Sequence, residues 1–117
     1  MHWNVLADSV SYRPRYNPED ILWQHKFPRV MDSICRLDPD IVGLSEVDRL
    51  PLYDDVKSAM NLLGYCDYFE ERHNPVKGSK EADGSAIFYK KSKFVCLKQE
   101  MMSLCKEGYG PQILIYV

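Results

Sequence analysis

The chain of 117 residues predicts an α/β fold, a mixed sheet with helices packed on it. Strand-like apolar runs alternate with segments of helical period through the first half. One run, Asp40-Ile41-Val42-Gly43-Leu44-Ser45-Glu46-Val47, holds a continuous apolar stretch from Ile41 to Leu44, of the sort a strand buried on both faces requires. Several strand-like runs then follow without an intervening helix, so the later part is mixed rather than parallel.

His2-Trp3-Asn4-Val5-Leu6 reads as a short opening strand. A loop rich in Ser, Arg, Pro and Tyr follows, from Ser9 to Asn17. Asn17-Pro18-Glu19-Asp20 is a helix start: a capping side chain, proline at the first position, then acids facing the dipole. Phe27, Val30, Met31, Ile34 and Leu37 recur at helical spacing. Pro28 interrupts them, which predicts a short turn, a kink and a main helix from about Pro28. Asp38-Pro39 ends it. After the buried strand, a second helix starts near Pro51, carries Leu52, Val56, Ala59, Met60 and Leu63 on one face, and stops at Gly64. Strands are expected at Cys66–Glu70, Ser85–Lys90, Phe94–Glu100 and Gln112–Val117, with a polar loop Arg72–Asp83 and a turn at Lys91-Ser92-Lys93. The last strand is apolar with no sequence left to cover it, and an open apolar edge invites association. The expectation is a fragment, the alternative a partner on that edge.

Composition is that of a folded protein, with 45% hydrophobic and 12% aromatic residues. The 15 Lys and Arg against 17 Asp and Glu leave a net charge of −2, so no whole-protein attraction to nucleic acid is indicated. A phosphate-bearing substrate would have to be held locally, by a metal ion or a few basic side chains. No stretch has the length of a membrane span, and no signal peptide is visible. Cys35, Cys66, Cys96 and Cys105 lack C-x-x-C spacing and histidine neighbours. Buried, reduced thiols in an intracellular protein, cytoplasmic or nuclear, are the reading preferred over zinc or disulfides.

Three segments carry candidate chemistry. Glu46 closes the buried strand, and the carboxyl ends of strands are where α/β folds bind ligands. A carboxylate in so apolar a run is costly unless paired or bound to a cation, and Mg²⁺ takes one or two carboxylates with phosphate oxygens and waters. Ion pairing with Arg49, or exposure at the strand end, serves equally on physical grounds. Asn4 is a polar amide between apolar strand positions, a residue type more often structural than catalytic. Asp83-Gly84 opens another strand.

In order and spacing these segments resemble the endonuclease/exonuclease/phosphatase superfamily, and within it the poly(A)-deadenylase, nocturnin and Angel-like branch. Asn4-Val5-Leu6-Ala7 resembles that branch's opening strand. Trp23 and Lys26, followed by Val30 and Ile34, match its Trp and basic residue that precede helical apolar positions. Pro39-Asp40-Ile41 and Ser45-Glu46-Val47-Asp48 match its Pro-Asp-Ile and Gln-Glu-Val-Asp. Tyr53, Leu63-Gly64-Tyr65, Asp83 to Lys90 and Gln112 to Ile115 match later positions, so the resemblance runs over essentially the whole chain. It implies the amino-terminal part of a four-layer α/β sandwich, residues 1–117 forming one incomplete domain. It further implies Glu46 as the ligand of a catalytic Mg²⁺ (or Mn²⁺), with Asn4 beside it on the scissile phosphate or the metal's waters. Asp83-Gly84 is read as structural.

Ser45 stands where the branch commonly has Gln, and Lys26 where Arg is usual, which loses a planar fork of donors. The family's later Asp-x-Asn and Asp-His motifs are missing: no Asp-x-Asn triplet occurs, and His2, His25 and His73 follow Met, Gln and Arg. His73 lies in a polar loop and is no substitute. The resemblance therefore implies a fragment of a Mg²⁺-dependent 3′-exoribonuclease or deadenylase, inactive alone, whose parent acts on RNA, poly(A) first, or on another phosphate ester. The alternatives are a non-catalytic truncated chain that binds or regulates, and a phosphatase or phosphodiesterase of the same superfamily with a non-RNA substrate. Loop residues Arg13, Arg15, Lys77 and Lys80 read as ordinary solvated charge. Tyr12, Tyr16, Tyr53, Tyr65 and Tyr68 read as packing before base-stacking platforms.

Overall fold

A computed structural model describes residues 1–5, 22–48, 52–71, 83–103 and 113–116, with backbone alone for 101–103 and 113–116. The apolar run becomes strand β2 (Ile41–Asp48), central in a four-stranded sheet. β1 (His2–Asn4) lies parallel to it on one side. β4 (Asp83–Lys90) lies antiparallel on the other, and β3 (Tyr65–Glu71) is antiparallel to β4, giving the order β1-β2-β4-β3. Helix α1 (Trp23–Leu37) crosses from β1 to β2, and helix α2 (Asp54–Leu62) leads from β2 towards β3. β5 (Glu100–Ser103) and β6 (Ile113–Tyr116) form a separate antiparallel pair.

Alternation along the strands divides the sheet into two faces. Val42 and Leu44 of β2 and Ala86 and Phe88 of β4 lie opposite one another and are buried. Val30 and Ile34 of α1 and Val56 and Met60 of α2 close over them as one cluster. Full burial of side chains of this size contributes roughly 1.5–3 kcal/mol each. Trp23 joins the two helices: its ring is buried, packs against Phe27 at 5.3 Å, and its Nε1 donates to Asp55 Oδ2 at 2.8 Å.

Two expectations need correction. α1 does not begin at Pro28 but runs from Trp23 straight through it. Pro28 forgoes one bond of the ladder, and the apolar face against the sheet outweighs that loss. Phe94 to Gln99 is irregular, with strand structure starting only at Glu100. β6 is, as expected, an edge strand, paired with β5 along one side in a two-stranded sheet. The Asn17-Pro18 helix start and the expected loop Ser9–Asn17 lie outside the described residues, as does the expected loop Arg72–Asp83 except for Asp83 itself. Gly64, at φ +87°, occupies the left-handed position that ends α2, as its sequence position requires.

The turn Asp38-Pro39-Asp40 between α1 and β2 is clamped from β4. Asp38 takes a left-handed conformation (φ 44°) and donates its N–H to Ile34 O at 2.9 Å. Lys90 Nζ pairs with Asp38 Oδ1 at 2.8 Å and donates to the Asp38 carbonyl at 3.0 Å and Asp40 Oδ1 at 3.3 Å. Lys93 reaches Asp40 at 2.8 Å, and the Tyr65 hydroxyl donates to Pro39 O at 2.5 Å. Pro-Asp-Ile and Phe-Tyr-Lys are thus two halves of one structural lock.

Gly84 meets a second constraint. A Cβ built on it would lie 2.3 Å from the Glu70 carbonyl oxygen and 2.7 Å from the Phe69 ring. The backbone oxygen cannot give way cheaply, so only glycine fits under this aromatic ring.

Two outcomes are expected. Gly84→Ala should lower stability by about 1–3 kcal/mol in urea unfolding, in line with overpacking; an unchanged midpoint would show that β3 and β4 separate without cost. The hydrogen bond from Lys93, assisted by Lys90, holds the Asp40 carboxyl below its ordinary value, and the bond to Asp38 holds the Lys90 ammonium above its own. The Asp40 contribution is therefore present above the ordinary carboxylate pKa and lost as pH falls through the lowered one. The Lys90 contribution is complete below the ordinary lysine pKa and lost only as pH rises through the raised one. Lys90→Met should lower the urea midpoint near neutrality, and the gap from the parent chain should narrow at about pH 3. A gap of constant size would assign the loss to packing.

Candidate active site

The carboxyl end of β2 breaks the regular ladder. Ser45 stands opposite Ser85 and Val47 opposite Gly84, which leaves Glu46 as the extra residue of a β-bulge. Its φ is +55°, a left-handed conformation that costs a residue with a Cβ on the order of 1–3 kcal/mol. Strict alternation would place Glu46 with Val42 and Leu44, against the helices. The bulge removes it from that face and moves Val47, 1% exposed, into the core position. The carboxylate thus leaves the apolar layer without shortening it.

Around Glu46 the strand ends bring several polar groups together. Asn4, exposed, sits in register with Ser45 at the carboxyl end of the parallel neighbour, and Val5 N–H donates to Ser45 O at 3.0 Å. Register continues the row to Ser85 and Glu70, so Asn4, Ser45, Ser85 and Glu70 cross the sheet on the face without helices. The Tyr68 hydroxyl donates to Glu70 Oε1 at 2.7 Å. Asp48 and Asp83, 7% and 9% exposed, oppose each other one step further on. Lys26 reaches this end of the sheet from α1, donating to Val5 O at 3.4 Å.

Sequence reading selected Asn4 and Glu46, and the fold brings these two to adjacent strand ends. It did not select Asp48 or the Ser85–Glu70 part of the row. Asp48 stood within the Glu-Val-Asp motif, but its burial opposite Asp83 depends on a register that no local pattern reveals. Among the described residues no group of three or more His, Cys, Asp and Glu forms a closed metal cage. A half-buried carboxylate with an amide neighbour is a hard-oxygen donor set. It suits a cation that keeps much of its water, as Mg²⁺ does, and not zinc.

The other singled-out residues serve packing or fall outside the description. Tyr53 stacks on Phe69 at 4.2 Å, and its hydroxyl donates to Asp67, which also pairs with Lys57 at 3.3 Å. Burial, then the Asp67 carboxylate, pushes the Tyr53 phenol well above its ordinary pKa. Tyr65 is buried in the Asp38–Asp40 lock. Tyr12, Tyr16, Arg13, Arg15, Arg49, His73, Lys77 and Lys80 lie outside the described residues. Cys35 is exposed and Cys66 and Cys96 are half-buried, all three as free thiols, which corrects the expectation of burial.

No family model matches the chain. It is 28% identical over 126 residues to nocturnin of Drosophila melanogaster, covering 97% of this chain and 17% of the relative. Protein angel homolog 2 of Mus musculus is 27% identical over 112 residues (91% and 20%). The CCR4-Not complex 3′-5′-exoribonuclease subunit Ccr4 of Emericella nidulans is 26% identical over 110 residues (88% and 16%). The crystal structure of ANGEL2, a 2′,3′-cyclic phosphatase, in complex with adenosine-2′,3′-vanadate superposes with a TM-score of 0.75 at 23% identity, over 91% of this chain and 31% of that one. The chain therefore spans a fifth or less of these curated relatives' length. No helix among the described residues is long and apolar enough to cross a membrane. Ordered motifs, sheet topology and these likenesses together indicate the endonuclease/exonuclease/phosphatase superfamily, and within it the nocturnin and Angel branch.

Proposed function

We propose that the chain carries the metal-binding wall of a Mg²⁺-dependent phosphodiesterase site, most like that of a 3′-exoribonuclease, and is inactive alone. The observation that carries this is the left-handed bulge at Glu46. Strained backbone at a strand end is sustained where a side chain has to be aimed, and here it aims a carboxylate out of the core. Glu46 holds the cation, which supplies charge stabilisation on the phosphoryl oxygens and the leaving group. Asn4, on the adjacent strand end, orients the phosphate or a water by hydrogen bonding through its amide. Lys26 brings a positive charge to the same end of the sheet.

RNA is the favoured substrate class because one relative is named as a 3′-5′-exoribonuclease. Poly(A) is its first candidate sequence. A cyclic phosphate or another phosphate ester is the second reading, favoured by the ANGEL2 likeness. A purely binding role lacks an observation of its own. Water activation and stabilisation of the transition state need groups that this sequence does not hold, since it has neither an Asp-x-Asn nor an Asp-His motif. Catalytic groups of this kind act as a unit, so partial sets lose several orders of magnitude.

Two outcomes are expected. Mg²⁺ or Mn²⁺ titration followed by calorimetry should show weak binding that Glu46→Gln reduces roughly 10–100-fold, with stability equal to or above that of the parent chain. Equal binding by both would remove Glu46 as a ligand. On short oligo(A), the chain and its Glu46→Ala form should show the same negligible Mg²⁺-dependent cleavage. Robust cleavage lost on that substitution would show that the chain holds a complete site.

A further inference from the structure

At the pole opposite Glu46, on the face without helices, Cys66, Tyr89 and Cys96 meet. Cys66 on β3 stands directly across the ladder from Tyr89 on β4, an arrangement in which Cβ atoms lie about 4.5–5.5 Å apart. Cys96 belongs to the irregular segment 94–99 and, with Tyr89, Ile41, Phe94 and Val95, lines a cleft of about 230 Å³. Tyr89 thus neighbours both cysteines, Cys66 across the ladder and Cys96 along the cleft. Burial first, and then these sulfurs, push the phenol well above its ordinary value. It stays protonated. Cys96 Sγ also contacts the Lys98 carbonyl at 3.6 Å. Segment 94–99 carries no helix or strand, and Val95 and Leu97 are 84% and 93% exposed. Cys96 can therefore approach Cys66 without disturbing a strand ladder.

We propose that Cys66 and Cys96 are a modification site: a thiol pair that closes to an intramolecular disulfide on meeting a hydroperoxide. Cys96, on the cleft that opens to solvent, reacts first. Its thiolate attacks the peroxide, the O–O bond breaks, and the departing oxygen takes the thiol's proton to leave as an alcohol or water. Cys96 is then a sulfenic acid. The Cys66 sulfur attacks the Cys96 sulfur; the S–S bond forms, the S–O bond breaks, and hydroxide leaves with the Cys66 proton as water. The two thiols have lost two electrons to one peroxide. The product staples segment 94–99 to the edge strand β3 across the end of β4. Transient, redox-sensing disulfides of this kind are the sort found in reducing compartments. The inference is independent of the phosphodiesterase reading.

The test uses the whole chain, with Cys35→Ser and Cys105→Ser to silence the other thiols. Hydrogen peroxide should remove both remaining thiols, lower the intact mass by two hydrogen atoms, and yield one proteolytic peptide pair joined through Cys66 and Cys96; dithiothreitol should restore it. Adding Cys66→Ser or Cys96→Ser should abolish the linkage. Phenylarsine oxide, which must bridge two sulfurs to be held, should bind the unoxidised chain one to one and be lost with either serine. Peptide mapping of the unsubstituted chain gives the same answer without any variant that has to fold. Thiols oxidised separately to sulfinic acids, linkage only between chains, or a pairing with Cys35 or Cys105 would each overturn the proposal.

Discussion

The structure depends on how β2 ends. A strand buried against helices has to present an apolar residue at every second position, and on the phosphodiesterase reading a site at its end needs a carboxylate in that same run. Regular alternation cannot meet both requirements, because Glu46 shares parity with Val42 and Leu44. One inserted residue with φ of +55° resolves the conflict. Val47 fills the core, Glu46 leaves it, and Asp48 comes to face Asp83. Without the bulge, either the layer between sheet and helices would take in a charge, at several kcal/mol, or the strand would lose its last apolar contact.

From this follows a division of the sheet into two poles with different tasks. At the amino end of β2, the Asp38–Asp40 turn is held by Lys90, Lys93 and Tyr65, and this lock sets where β2 begins. A register fixed there is carried along β4 to the bulge, where Gly84 admits the Phe69 ring in the place of a side chain. Motifs spread across the sequence therefore do unlike work. Pro-Asp-Ile, Phe-Tyr-Lys and Asp-Gly set position; Asn4 and Glu46 occupy the position that is set.

Much of this was legible in the residues, and the remainder was not for identifiable reasons. The burial of Val42, Leu44 and Phe88 followed from apolar runs, and the end of α2 from Gly64. Pro28 misled because local propensity argues for a break, whereas Trp23, Val30 and Ile34 supply the packing that carries the helix through it. Strand β5 was displaced because Phe94, Val95 and Leu97 are apolar enough for a strand yet stand largely exposed, a fact that only tertiary placement decides. The candidate site was legible as residue types, Asn4 and Glu46. Its polar row through Ser45, Ser85 and Glu70 was not, since cross-strand neighbours come from register and register from the distant Lys90 lock.

Charge adds a final step. The strand ends around Glu46 gather carboxylates, with Glu46, Asp48, Glu70, Glu71 and Asp83 at one end of the sheet and Lys26 beside them. A phosphodiester brought there meets like charge, and the net charge of −2 offers no compensating field from the rest of the chain. On the phosphodiesterase reading a divalent cation is thus needed for binding as much as for chemistry. It converts the acidic end from a surface that repels phosphate into one that holds it. The same reasoning separates Glu46 from its neighbours: Asp48 and Asp83 are buried where a hydrated cation has little room, whereas Glu46 is half-buried and carried on a bulge. The carboxylate whose backbone is strained is also the one that a cation with its waters can reach.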